Sequence, residues 1–268
     1  MVLQLDVTGS MLFDYNGRQR LELLNIIVRR LCTTLFLDAR ARAAVEMAFV
    51  VFTDQLLLVT DFMQLDKIDA RQFQSADPTY RNHIRIQQGE IKNSTGRTLT
   101  VRVPQFQVSD TDNGTKIGMA TLKSMELLQK RVIQRKNSPS GCHTPFLITI
   151  TDGHPDSQRG VEYQDEDQHR AVERIKAHCS GNGEHLIIPI VIGVGDEKEI
   201  GTQTLKDYSG GFVDGFFHVR DDVSAELIQI LSDTICNVIK LSITADANTI
   251  RDKVQDGYAE YQSLLKNQ

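Results

Sequence analysis

Asp6, Thr8 and Ser10 occupy alternate positions directly after a short apolar run, in "VLQLDVTGSM". In extended chain, alternate side chains share a face, so one carboxylate and two hydroxyls can converge on a point. Asp, Gly and Ser are good turn residues, but a turn alone does not require that alternation. A second acid, Asp152, closes another apolar run, "FLITITD". Thr115 stands in "DNGTKIG", just ahead of a helix-period stretch, where Thr is also a natural N-cap. Together the five side chains offer carboxylate and hydroxyl oxygens, without imidazole or thiolate. Hard oxygen donors of this kind suit Mg²⁺ or Mn²⁺, and Ca²⁺ less well. With two carboxylates only, a bound cation would stay electrophilic and ready to accept a carboxylate from outside. Singly, each residue has a plainer use as a cap, a turn or a strand end, and it is their joint occurrence that points to a metal.

The elements that must position these oxygens alternate between buried strands and helices. "VLQLD" reads as a strand, and "RQRLELLNIIVRRLCTTLF" as a helix with Leu21, Leu24, Ile27, Val28, Leu31 and Leu35 on one face. "VEMAFVVF" and "LLLVT", separated by Thr53-Asp54, predict an antiparallel pair. Residues 62–105 are polar and punctuated by Gly89 and Gly96; the alternating "TLTVRV" predicts an insertion holding a strand or hairpin. "KIGMATLKSMELLQKRVI" is helical, with Ile117, Met119, Leu122, Met125, Leu128 and Val132 as core candidates. Strand "PFLITITDG", helix "DEDQHRAVERIKAHC", strand "HLIIPIVIGVG", short helix "EIGTQTLKDYS" and strand "GFFHV" follow. A helix over "DDVSAELIQILSDTICNVIK" would carry Asp221 and Asp222 in its first turn, where acids suit the dipole. The tail places Ile250, Val254, Tyr258, Tyr261 and Leu265 on one helical face, which packs on the domain body or serves a partner. This order predicts an α/β fold: a doubly wound, mostly parallel central sheet with helices on both faces and one antiparallel edge strand. The ligand site of such a sheet lies at the carboxyl ends of its strands.

"DVTGSM", "NGTKIGMA" and "TDG", in this order, resemble the metal-ion-dependent adhesion site of von Willebrand factor type A (vWA) domains. That pattern is Asp-x-Ser-x-Ser, then a loop Thr, then an Asp ending a later strand. "IPIVIGVG" and "LKDYSGGF…FFHV" resemble the family's later elements, and the likeness runs from about residue 2 to residue 240. It implies a vWA domain over 1–240, with an insertion at about 62–105, and a helical extension over 241–268. It implies further that Thr8 and Ser10 bind the metal directly, that Thr115 joins them in the ligand-competent state, and that Asp6 and Asp152 act largely through water. Thr8 departs from the commoner serine, keeping the oxygen and adding a methyl. Gly9 is expected to allow a tight backbone turn beside the ion.

The implied function is a metal-dependent protein-interaction module, whose cation accepts a Glu or Asp from a partner protein. The setting expected is a stand-alone intracellular bacterial scaffold in a stress-resistance or defence assembly, with residues 62–105 and 241–268 tuning partner choice. One alternative is a Mg²⁺-dependent hydrolase or phosphotransferase using Asp6 as nucleophile. Haloacid-dehalogenase-type chemistry, however, wants a second acid where Thr8 stands, and P-loop, Gly-x-Ser-x-Gly and His-Glu-x-x-His motifs are missing. Catalysis is therefore not expected. A second alternative is a structural vWA domain with a degenerate site.

Across 268 residues, 40% are hydrophobic and 24% charged, and the net charge of −5 gives no general drive toward nucleic acid or anionic membrane. Cys32, Cys142, Cys179 and Cys236 form no Cys-x-x-Cys pair, so reduced thiols in a cytoplasm are expected. No segment reads as a signal h-region or membrane span. Asp110, Asp112 and Asp156 lie in loops near the same face and read as solvated groups, as do Lys116 and His154, whose exposure could contribute to partner recognition.

Overall fold

A computed structural model describes residues 1–15, 18–93, 95–108, 114–136, 144–153, 166–179, 186–196, 200–212, 215–220 and 222–266. Asp110, Asp112, Cys142, His154, Asp156 and Asp221 lie outside the described residues. In chain order the elements are β1 (Val2–Asp6), β2 (Asp14–Tyr15), β3 (Arg18–Gln19), α1 (Arg20–Leu37), α2 (Ala39–Ala44), β4 (Glu46–Phe52), β5 (Leu56–Val59) and β6 (Met63–Gln64). Then come β7 (Ile84–Lys92), β8 (Thr98–Phe106), α3 (Ile117–Lys136), β9 (Phe146–Thr151), α4 (Glu166–Cys179), β10 (Ile188–Val194), α5 (Thr202–Tyr208), β11 (Phe217–Val219), α6 (Ala225–Leu241) and α7 (Ala247–Leu265).

The central sheet has the order β11-β10-β9-β1-β4-β5, with β6 also on β4. Every pairing from β11 to β4 is parallel, whereas β5 and β6 run antiparallel to β4. The expected doubly wound sheet with its antiparallel edge is therefore present. Strands β1, β9 and β10 are buried at every residue, the pattern of a parallel sheet covered on both faces. Helix α1 packs against α6, and α6 against α7, while α3 packs against α4 on the other layer. From β1 the chain winds outward to β4 and later returns to place β9 on the opposite side of β1. That makes the carboxyl ends of β1 and β9 a topological switch point, the place where sheets of this kind bind their ligands.

The α1 face anticipated from periodicity is the buried one, with Leu21, Leu24, Ile27, Val28, Leu31 and Leu35 at 8% exposure or less. On α3 four of the six expected core residues, Ile117, Met125, Leu128 and Val132, are buried, and two are not. Met119 and Leu122 are half-buried, while Thr121 and Ser124 are fully buried. The reason is Gln4, a buried amide in central strand β1. Its Nε2 donates to the Thr121 hydroxyl at 2.9 Å, and its Oε1 accepts from Ser124 at 3.1 Å. A buried amide must be satisfied, so α3 turns hydroxyls toward the sheet. Helix α6 begins at Ala225, four residues later than expected, because Ser224 caps it through Leu227 N; Asp222 instead pairs with Arg220, and the first-turn acid is Glu226.

Between β6 and α3 the chain makes short 3-10 turns and then the antiparallel β7–β8 hairpin. Its alternating segment does form a strand: Val101, Val103 and Phe106 of β8 face inward. Asn25 of α1 holds that strand by a two-way bond, donating to Phe106 O at 2.8 Å and accepting from Phe106 N at 2.9 Å. The C-terminal helix lies on the body. Ile250, Val254, Tyr261 and Leu265 are buried, Tyr258 is half-buried, and both tyrosines meet Phe217 edge-on. Tyr261 donates to His218 O at 2.9 Å. Tyr261→Phe is therefore expected to cost about 1 kcal/mol in urea unfolding, with little change in the denaturant slope. Among the described residues no helix is long and apolar enough to cross a membrane.

Candidate metal centre

Parallel register brings the two acids together. Leu5 pairs with Ile150, so Asp6 at the end of β1 lies beside Thr151 at the end of β9, and Asp152 follows. Asp6 and Asp152 are both fully buried. Asp6 Oδ1 accepts from Thr8 N at 3.0 Å and Oδ2 from the Thr151 hydroxyl at 2.6 Å. After β1 the chain enters a 3-10 turn, Gly9–Leu12, with Met11 N bonded to Thr8 O at 3.0 Å. This turn sets the Thr8 and Ser10 hydroxyls 2.9 Å apart. The tight turn expected at Gly9 is present, but Gly9 has no positive φ, because a 3-10 turn needs only ordinary right-handed torsions. The glycine that needs its freedom is Gly153, at φ 72°, where a Cβ would stand 2.7 Å from Leu205 Cγ and 3.1 Å from Gly201 O. Asp152 O accepts from Gly201 N at 2.9 Å, which fixes the loop on that side.

Thr115 reaches the same sheet edge by another route. Lys116 N donates to Thr53 O at 2.8 Å, pinning the segment to the carboxyl end of β4. Helix α3 starts at Ile117, so Lys116 takes the cap position rather than Thr115. Thr115 is 8% exposed, and its hydroxyl makes no hydrogen bond among the described residues. Asp6, Thr8, Ser10 and Asp152 are thus brought together, with Thr115 at the same edge.

Burial, and then the charge of Asp152, push the Asp6 carboxyl up to about 7; the hydrogen bonds from Thr151 and Thr8 oppose the rise. Two carboxylates held out of water beside each other disfavour each other's charge. Among the described residues no three Asp, Glu, His or Cys side chains gather. The donor set here is two carboxylates with three hydroxyls, which fits a hard divalent ion in character and in number.

Two participants gave no usable signal in sequence. Thr151 looks like one more β-branched strand residue, although its place one before a strand-end acid is the sign that could have marked it. Its removal should matter: Thr151→Val is expected to raise the Asp6 pKa further, by about one unit, which NMR titration of the carboxyl carbon would follow. Arg20 reads as a solvated base at a helix start, yet it is 1% exposed and its Nη1 lies 3.5 Å from Asp152 Oδ2. A separate cavity of about 280 Å³, lined by Glu46, Phe62, Arg131, Arg135 and Ile239 among others, opens at the amino ends of β4 and β9, away from these oxygens.

No protein-family model matches the chain, and no curated protein matches it. Solved structures do. The D319A mutant of the PilB minor pilin from Streptococcus sanguinis superposes with a TM-score of 0.54 at 15% identity, over 91% of this chain and 62% of that one. The pilus adhesin SpaC from Lactobacillus rhamnosus GG gives 0.45 at 14% identity, over 89% of this chain and 30% of that one. The vWF domain of the type V pili tip protein Mfa5 from Porphyromonas gingivalis gives 0.38 at 15%, over 91% and 96%. The chain thus spans about three-fifths of the PilB chain. Identity this low speaks for the fold alone: a doubly wound, mostly parallel α/β sheet.

Proposed function

We propose that this chain is a metal-dependent protein-interaction module. Asp6, Thr8, Ser10, Thr115 and Asp152 would hold Mg²⁺ or Mn²⁺, with Ca²⁺ a poorer fit. The bound ion supplies an electrophile for a Glu or Asp carboxylate of a protein partner. The observation that carries the reading is the pair of fully buried carboxylates at the switch point, beside two hydroxyls 2.9 Å apart. Thr8 and Thr151 aim and fix the Asp6 carboxylate, while Gly153 and Gly201 fix the backbone at Asp152. Because Asp6 is fully buried and both its oxygens already accept hydrogen bonds, it is better suited to holding waters and hydroxyls than to attacking a substrate.

The setting we propose is a scaffold within an intracellular bacterial assembly, of the stress-resistance or defence kind. The similar solved structures include pilus proteins, so a cell-surface setting is the competing one, and fractionation of the native host decides between them. The module itself is tested by thermal unfolding with Mg²⁺, Mn²⁺ and Ca²⁺, wild type against Asp6 variants. A wild type that does not respond to any of them at millimolar concentration excludes a high-affinity free-standing site.

A further inference from the structure

Arg20 is the first residue of α1, the end of a helix where a cation is disfavoured by the dipole. It is also almost completely buried, a state arginine rarely adopts without a partner. Neither fact helps α1, so the placement needs another reason. Asp152, itself fully buried, supplies one: its Oδ2 lies 3.5 Å from Arg20 Nη1. Room for the guanidinium is made by Gly195, which follows β10 at φ 136°; a Cβ there would stand 2.9 Å from Arg20 Nε and 3.0 Å from Cζ. From the site turn, the Phe13 ring lies over the same group, with Cζ 5.6 Å from the ring centroid. Segments after β1, β9 and β10 therefore converge on one positive charge beside the acid pair.

The charge count shows what that does. Among the described residues, Asp6 and Asp152, both in their ionised forms, sum with Arg20 to −1. A divalent ion brings the site to +1, and a carboxylate from outside brings it to zero. Without Arg20 the same sums are −2, zero and −1. A buried net charge is costly, so the two sites would prefer different numbers of ligands. We propose that Arg20 is a positioning residue acting as a resident cation. It weakens the bare site for the divalent ion and makes ion and partner carboxylate bind together. This deepens the metal-dependent reading above and rests on it.

The test is titration of the full chain with Mn²⁺, followed by the paramagnetic signal of the free ion. Each titration is repeated with acetate as carboxylate probe, at ionic strength held with chloride. Arg20→Met should bind Mn²⁺ alone at least roughly tenfold tighter than wild type, since a unit charge opposing a divalent ion a few ångströms away is worth about that much even at a water-like dielectric. In wild type, acetate should tighten Mn²⁺ binding, and in Arg20→Met that gain should vanish. Arg20→Lys keeps the charge and should stay within about threefold of wild type. If Arg20→Met does not fold, Arg20→Gln removes the charge while keeping a donor for Asp152, and the same ranking is expected. Equal or weaker Mn²⁺ binding in the folded charge-removing variant overturns the role of Arg20 and leaves the metal site standing. Loss of Mn²⁺ binding from every form, wild type included, removes both.

Discussion

Mg²⁺ or Mn²⁺ is expected to raise the unfolding midpoint of the wild-type chain by several degrees, and to leave Asp6→Ala unmoved. An ion that binds only the folded state at a hundred times its Kd adds about 2.7 kcal/mol of stability. In a domain of this size each kcal/mol is worth roughly 2–4 °C, so a rise on the order of 5–10 °C follows. The informative companion is Asp6→Asn. It keeps the shape and one acceptor for the bonds from Thr8 N and Thr151, yet removes the repulsion with Asp152. In chelator near pH 8, Asp6→Asn should match or exceed wild type in stability, and the order should reverse once metal is added. A structural role alone would make Asp6→Asn weaker in both conditions. Equal metal-induced shifts in wild type and Asp6→Asn would mean that the ion binds elsewhere.

Metal-free stability should fall as pH rises from about 4 to above 7. The Asp6 carboxyl goes from an ordinary 3.8 to about 7 in the folded chain, chiefly because burial and then Asp152 disfavour its charge. Between those values the folded state holds a proton that the unfolded state has released, so stability decreases with rising pH. The contribution is complete below the lower value and lost above the upper one. A shift of this size corresponds to a few kcal/mol, though Arg20 beside Asp152 tempers the repulsion. Urea midpoints at pH 5 and pH 8 in chelator would show the fall, and Asp6→Asn should flatten it. Saturating Mg²⁺ should flatten it too, because protons compete with the ion for the same carboxylate. A metal-free stability that climbs across this window would show that Asp6 is charged comfortably in the folded chain.

Most of the framework was legible from periodicity, because buried parallel strands are continuous apolar runs and helices repeat every three to four residues. The exceptions have definite causes. On α3 the apolar spacing pointed to Met119 and Leu122, but the demand of a buried Gln4 for partners turned Thr121 and Ser124 inward instead. Near α6 the acids suggested an earlier start, but Ser224 could cap the helix and Asp222 had Arg220 beside it. Between β6 and α3, only the strand whose residues alternate announced itself; the 3-10 turns around it have no period to read.

For the candidate site, the oxygens of the proposed metal centre could be named from sequence. Alternation in "DVTGS", a strand-closing Asp152 and a Thr ahead of a helix are local patterns, and local spacing decides which face a side chain takes. It could not say that Thr151 would reach Asp6 across 145 positions, nor that Arg20 would leave water for Asp152. Both follow from the order in which β1, β4 and β9 lie side by side, a property of the whole sheet. Burial is likewise collective: the same carboxyl that titrates near 4 in an open chain rises to about 7 only when the strands exclude water and bring a second charge beside it. The proposed donors were therefore written in neighbouring residues, and their energetics in the packing of distant ones.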